Sequence, residues 1–271
     1  MSKSPAVVLS IAGFDPSSGA GITADLKTIA AHGLFGISCI TALTVQSTRG
    51  VAEVRPQTGE LVRKTLKVLL DDFHPSAVKI GMLGNKDVAE AVAEVLAEAR
   101  LPNVVLDPVL SSSSGAVLLD EKGIRFLIDR LLPLVDVITP NASEAQVLAG
   151  VPVTSLEEMR KVAHQLHGLG ARNAVVTGGH LFPPTDVLSQ TIGSAEQVIA
   201  FAGKHVATES THGTGCAFAS ALACNLALGK NLEESVGAAK DYVNQALRQA
   251  YLVGKGKGPI NHLFRLDSQN D

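Results

Sequence analysis

The sequence predicts an α/β fold, a three-layer α/β/α sandwich around a central, mainly parallel sheet. Two patterns and one absence predict it. Short continuous apolar runs alternate with longer amphipathic ones, the rhythm of buried parallel strands and their covering helices. With no Trp and only 4% aromatic residues, the 46% hydrophobic content rests mainly on Val, Leu, Ile and Ala, the usual stock of strands buried on both faces. No composition shift, long linker or repeat divides the chain, so residues 1–271 read as a single domain.

The elements follow in order. Strand signals fall at 6–13, 37–46, 77–82, 103–109, 136–139 and 174–179. Helical periodicity occupies 22–33, 59–72, 86–100, 120–132 and 156–169, each stretch lying between two strands. A hairpin-like pair, 186–192 and 197–202, is joined by Gly193-Ser194. Helices at 214–228 and 232–252 close the chain, with Gly229 placed to stop the first in a left-handed C′ conformation. The polar tail 268–271 reads as frayed. In such a fold the ligand cleft lies at the carboxyl ends of the strands, so the residues just past each strand carry the functional question.

Charge and cysteine usage narrow the function. The balance of 23 basic and 26 acidic side chains, net −3 without a block of either sign, offers no basic face for nucleic acid or a membrane surface. No apolar run reaches membrane-spanning length, and residues 1–5 do not read as a signal peptide. Cys39, Cys216 and Cys224 lack CxxC spacing, which argues against a disulfide framework or zinc site and for a reduced, cytoplasmic compartment.

Seven residues past the strands have both a chemical and an ordinary reading. Asn141 and Glu144 open a helix: they form either a capping device or an Asn that orients a metal-facing carboxylate. Gly213 and Gly215 lead into an Ala-rich helix, as turn glycines or as a backbone nest for an anion. Cys216 would sit at that helix start, where a thiol pKa can fall, or be a buried structural cysteine. Asp107, before Pro108, is either a turn residue or a magnesium and phosphate-site carboxylate. Gln46 is either a solvated strand end or a paired donor and acceptor for a ring nitrogen beside an amine. The small-residue loop after the first strand, from Gly13 to Gly21, is not a Walker loop and suits close approach to a flat ligand.

Taken together these segments resemble the ribokinase-like superfamily, and within it the hydroxymethylpyrimidine and phosphomethylpyrimidine kinases of thiamine biosynthesis. The resemblance rests on Ser10-Ile11-Ala12-Gly13, Gly19-Ala20-Gly21-Ile22, Thr41-Ala42-Leu43-Thr44 with Gln46, and Val78-Lys79-Ile80-Gly81-Met82. It continues through Asp107-Pro108-Val109, Thr139-Pro140-Asn141, Gly178-Gly179-His180, His212-Gly213-Thr214-Gly215-Cys216 and Gly258-Pro259-Ile260-Asn261, all in family order. It implies an ATP- and Mg2+-dependent kinase for an aminopyrimidine alcohol, assembled as a homodimer. Gln46 would bind the aminopyrimidine, with Gly13, Ala20, Met82 and Val109 around the ring and Asp25 in the same pocket. Gly213, Gly215 and Cys216 would form the anion hole and catalytic group, Glu144 and Asp107 would serve the metal, and Asn141, Thr211 and Lys240 the nucleotide.

Departures fall in three places. Thr177 replaces a usual Lys; in the first loop Phe14 replaces a small polar residue and Ser18 a Gly; in the tail Lys255 and Lys257 stand where relatives often carry His. Two other functions stay open: a pyridoxal kinase, alone or as a second activity, and a non-catalytic ligand-binding protein that kept the fold.

Overall fold

The computed structural model describes residues 4–112 and 114–267; the tail expected to fray, 268–271, lies outside them. The chain runs β1 (Val7–Phe14), α1 (Gly21–Ala31), β2 (Phe35–Ser47), β3 (Gly50–Pro56), α2 (Gly59–Asp72), β4 (Ala77–Ile80), α3 (Lys86–Ala99) and β5 (Val104–Leu106). It continues through α4 (Glu121–Phe126), β6 (Val137–Ile138), α5 (Ala142–Ala149), α6 (Leu156–Gly168) and β7 (Asn173–Val176). The hairpin β8 (Thr185–Ile192) and β9 (Ala195–Ala202) follows, then α7 (Thr214–Ala227), α8 (Leu232–Arg248) and the short α9 (Phe264–Asp267).

All nine strands form one sheet in the order β3-β2-β1-β4-β5-β6-β7-β8-β9. The six central strands are parallel, and β3, β8 and β9 are antiparallel at the two edges. Alternate residues of each central strand serve opposite faces. Leu9, Ile11, Val78 and Ile80 pack with α2–α6, whereas Val8 and Ala77 pack with α1, α7 and α8. Both faces are therefore dry, which is why these strands read as unbroken apolar runs.

The sequence expectation differs from this at four places. Strand β3 was not expected, because its side chains are mostly exposed and give no apolar alternation. The helical stretch 120–132 breaks after Phe126 into a wide turn at Leu127–Leu131 and a tight one at Leu132–Leu134, where Pro133 cannot continue a helix. Helix α8 stops at Arg248 rather than at 252. Helix α5 was seen only as a polar opening at Asn141, its eight residues being too few to show a period. Gly229 does take the left-handed conformation, with φ 84°.

From β1 the chain first builds outward through β2 and β3, then crosses back to place β4 on the other side of β1. Neighbouring connections leave in opposite directions there, opening a crevice beyond the strand ends.

Candidate active site

A cavity of about 440 Å³ fills that crevice. Gly13, Phe14, Asp15 and Ala20 come from the β1–α1 loop, Thr44 and Gln46 from the end of β2, and Met82 follows β4. Asp107 and Val109 follow β5, Asn141 and Glu144 open α5, and Thr211, His212, Gly213, Gly215 and Cys216 lead into α7. Every expected site residue lines it except Asp25 and Lys240.

Helix caps explain what the cavity can hold. Helices α2, α3, α5, α6 and α8 each begin at a Thr, Asn or Ser whose side chain accepts an N–H of the first turn. Helices α1 and α7 begin at Ala20 and Gly213, with no side-chain cap, and both starts border the cavity. A helix start leaves N–H groups without intrahelical partners, and the dipole adds positive potential there, so an uncapped start facing a cavity suits an anion. Gly213 is needed on two counts: its φ is 86°, and an added Cβ would strike the Gly19 carbonyl.

The anionic side of the cavity is built from Asp107 and Glu144. The capping reading of Asn141 and Glu144 holds: the Asn141 side chain accepts the Glu144 N–H at 3.0 Å, and Glu144 accepts the Asn141 N–H at 3.0 Å. Burial, reinforced by the nearby Asp107 charge, pushes the Glu144 carboxyl up to about 8. Burial also pushes Asp107 up to about 6, against the opposing pull of the Lys79 ammonium. Asp107 Oδ2 is buried without a hydrogen-bond partner. Two crowded carboxyls and an orphaned oxygen suit a hard divalent cation that keeps most ligands for water and phosphate. Among the described residues no cluster of three or more acidic, His or Cys side chains could hold a metal without such outside ligands.

Two expectations are corrected. Asp25 does not reach the ring pocket: it is fully buried, its carboxylate 3.0 Å from Lys79 Nζ through each oxygen and bonded by Ser10 Oγ at 2.6 Å and Ser220 Oγ at 2.8 Å. It ties β1, α1, β4 and α7 together beneath the site. The Cys216 thiol is not lowered at its helix start: burial pushes it up to about 12, Asp107 and Asp25 add to this, and Lys79 and the Gly21 N–H offset only part. Lys240 lies off the cavity, its ammonium 2.7 Å from Asp186 Oδ2, while Asp186 Oδ1 accepts the Gly178 N–H at 3.0 Å.

Sequence reasoning missed Lys79, Asp15 and His212. A lysine inside the apolar run Val78-Lys79-Ile80 is itself a signal of a buried partner. Lys79 Nζ also lies 3.9 Å from Asp107 Oδ2, and Asp25 keeps it charged, holding its pKa above the usual range despite burial. His212 Nε2 lies 2.8 Å from Asp15 Oδ2 and 3.3 Å from the terminal amide of Gln46.

A parallel sheet with antiparallel edges, and a glycine-bearing uncapped helix start opposite two carboxylates, define a ribokinase-like phosphotransferase. Solved structures agree. The chain matches the ADP complex of Bacillus subtilis pyridoxal kinase with a TM-score of 0.86 and 32% identity, covering 97% of this chain and 100% of that one. It matches a phosphomethylpyrimidine kinase from Clostridium difficile 630 with a TM-score of 0.76 and 34% identity, covering 89% and 99%. Among sequence relatives, the hydroxymethylpyrimidine/phosphomethylpyrimidine kinase of Haemophilus influenzae is 40% identical, over 94% of this chain and 96% of its own length. The thiamine biosynthesis bifunctional protein ThiED of Geobacter sulfurreducens is 41% identical over 97% of this chain, which spans 54% of that protein. The family model described as phosphomethylpyrimidine kinase matches residues 15–261. The chain belongs to the phosphomethylpyrimidine kinase family.

Proposed function

We propose that the protein is a kinase that transfers a phosphoryl group from ATP to the hydroxymethyl group of 4-amino-5-hydroxymethyl-2-methylpyrimidine, and then to its monophosphate, in thiamine biosynthesis. The observation that carries the reading is one cavity lined together by Gln46, Met82, Val109, Asp107, Glu144 and the uncapped start of α7.

In this reading Met82 and Val109 give the flat ring apolar walls, part of a small cluster with Ala42 and Leu118. Gln46 supplies the paired donor and acceptor. The Gly213–Cys216 turn holds the oxygens of the transferred group, and phosphoryl transfer asks mainly for such positioning and charge neutralisation. Asp107 and Glu144 would hold magnesium, whose charge offsets that of the phosphate oxygens. Cys216 and Asp107 line the same cavity, close enough for the Asp107 charge to push the thiol pKa up, so the substrate proton would have a short path from the thiol side to a carboxylate. Lys240, by holding Asp186 and through it the Gly178 N–H, would keep the β7–β8 segment in place beside the nucleotide. A homodimer and a reduced cytoplasmic setting belong to the same proposal. Exposed Phe35, Leu43 and Val45 on β2 support the first, and three free thiols the second.

The pyrimidine is favoured over pyridoxal because the family model that matches residues 15–261 is that of phosphomethylpyrimidine kinase, and the Haemophilus influenzae relative named for the same activity is 40% identical. An ATP-coupled assay across hydroxymethylpyrimidine, its monophosphate, pyridoxal and a pentose tests this. Highest kcat/KM on the first two is expected. Preference for pyridoxal or the pentose overturns the substrate, and no turnover of any overturns the activity.

A further inference from the structure

We propose that Asp15, His212 and Thr44 lock the Gln46 side-chain amide in one orientation, and so decide which ring edge the enzyme accepts; this rests on the reading of Gln46 as the ring-binding residue. The Asp15 carboxylate accepts the N–H groups of Ser17, Gly19 and Ala20 at 2.8, 3.3 and 2.9 Å and the Ser17 hydroxyl at 2.7 Å. A carboxylate so engaged can only accept. His212 Nε2, 2.8 Å from Asp15 Oδ2, must therefore carry a hydrogen, whether the ring is neutral or charged. Two donors then face each other if the Gln46 amide nitrogen occupies the position 3.3 Å from that Nε2.

The other end of the amide leads to the same result. Thr44 Oγ1 lies 2.9 Å from the Phe14 carbonyl, which can only accept, so the Thr44 proton is committed there. What Thr44 offers the amide atom 3.2 Å away is a lone pair. A half-turn of the amide, which swaps nitrogen and oxygen without moving other atoms, satisfies both sides. The carbonyl then faces the His212 Nε2–H and takes the longer arm of a forked bond whose shorter arm goes to Asp15, and the NH2 group donates to Thr44. Neither partner can reverse its role, because Asp15 fixes one and Phe14 the other.

The lock has a chemical consequence. The carbonyl keeps a free lone pair on the His212 side, and the NH2 keeps a free hydrogen on the Thr44 side. Such an amide pairs with a ring presenting an amine next to an unprotonated ring nitrogen, the amine toward His212. A ring presenting an oxo group next to a ring N–H carries the reverse pattern and meets like against like. An unlocked glutamine would serve either edge by turning over.

The test compares kcat/KM on the aminopyrimidine alcohol with kcat/KM on the same ring bearing oxo in place of the amine, in wild type, His212→Ala, Thr44→Val and Gln46→Ala. Loss of either lock partner should cut the amine-over-oxo preference by roughly tenfold or more, the scale set by one mispaired buried polar group. A purely structural role would lower both rates by one factor and leave the preference unchanged. An unchanged preference in His212→Ala and Thr44→Val, with preference lost in Gln46→Ala, overturns the lock alone. A preference kept in Gln46→Ala overturns the reading of Gln46 and the lock with it. If His212→Ala does not fold, the nearly isosteric Thr44→Val decides.

Discussion

The Cys216 sulfur offers a direct measurement of the charge environment at the foot of α7. With its thiol pushed up to about 12, the thiolate fraction at pH 8 is roughly one part in ten thousand, against about a quarter for an ordinary cysteine. Alkylation goes through the thiolate, so Cys216 in the ligand-free protein should react with iodoacetamide more than roughly a thousandfold slower than an exposed thiol. The rate should rise about tenfold per pH unit from 8 to 10 without levelling, because the fraction stays far from saturation. Mass spectrometry of the labelled peptide separates this site from Cys39 and Cys224, both buried and also raised. An inflection below pH 10 would show that Lys79 and the helix start outweigh burial and the two aspartates, and the assignment of a neutral thiol would fail. Catalysis tests separately whether Cys216 takes part in moving the substrate proton. Cys216→Ala should fold and bind ATP yet lose phosphoryl transfer by roughly two or more orders of magnitude. Cys216→Asp should keep some turnover and move the rising limb of the rate profile to lower pH.

Three further outcomes follow from the ionised groups around it. Lys79→Met strands the buried Asp25 carboxylate and should cost about 3–5 kcal/mol in urea unfolding, part of it recovered by adding Asp25→Asn; strictly additive losses would deny the pair. Glu144 is held at about 8 in the folded chain against an ordinary 4.5, so the folded state keeps a proton that the unfolded state sheds. The ligand-free protein should therefore lose stability as pH rises from about 5 through 8, and Glu144→Gln should flatten that slope; equal slopes in a melting series would rule the shift out. Thr177→Lys places a cation beside Asn141, with which Thr177 forms a parallel bridge, and should hold or lower the KM for ATP; loss of activity in a folded variant would mean that the site is built around Thr177.

How much of this was legible in the sequence depended on how local the cause was. The central strands and their covering helices were readable because burial on both faces writes itself as apolar runs. Strand β3 was not, since its pairing to β2 is backbone bonding with little side-chain pattern. Much of the cavity lining was readable from position, residue after strand end, which is why Gln46, Asp107, Asn141 and Glu144 converge, whereas Met82 came only from the family resemblance. What could not be read was which way a polar group would be paid for. Asp25 sits within a helix that also supplies the cavity rim, and only the sheet order brings Lys79 of β4 beneath it. His212 was hidden inside a motif already explained by its glycines, although its partner Asp15 lies 197 positions away in the loop facing it.

Capping joins these observations at the level of the whole fold. Side-chain caps at Thr58, Asn85, Asn141, Ser155 and Asn231 stabilise their helices typically by about 1 kcal/mol each. The chain forgoes that contribution at Ala20 and Gly213, the two longer helix starts that border the cavity. A Ser or Asp at Gly213 would both strain a left-handed φ and occupy the N–H groups that a phosphoryl group needs. Beneath the second of these uncapped starts, the Asp25–Lys79 pair links Ser220 of α7 to β1, α1 and β4. The missing cap leaves the anion-binding groups open, and the buried pair holds in place the helix that carries them.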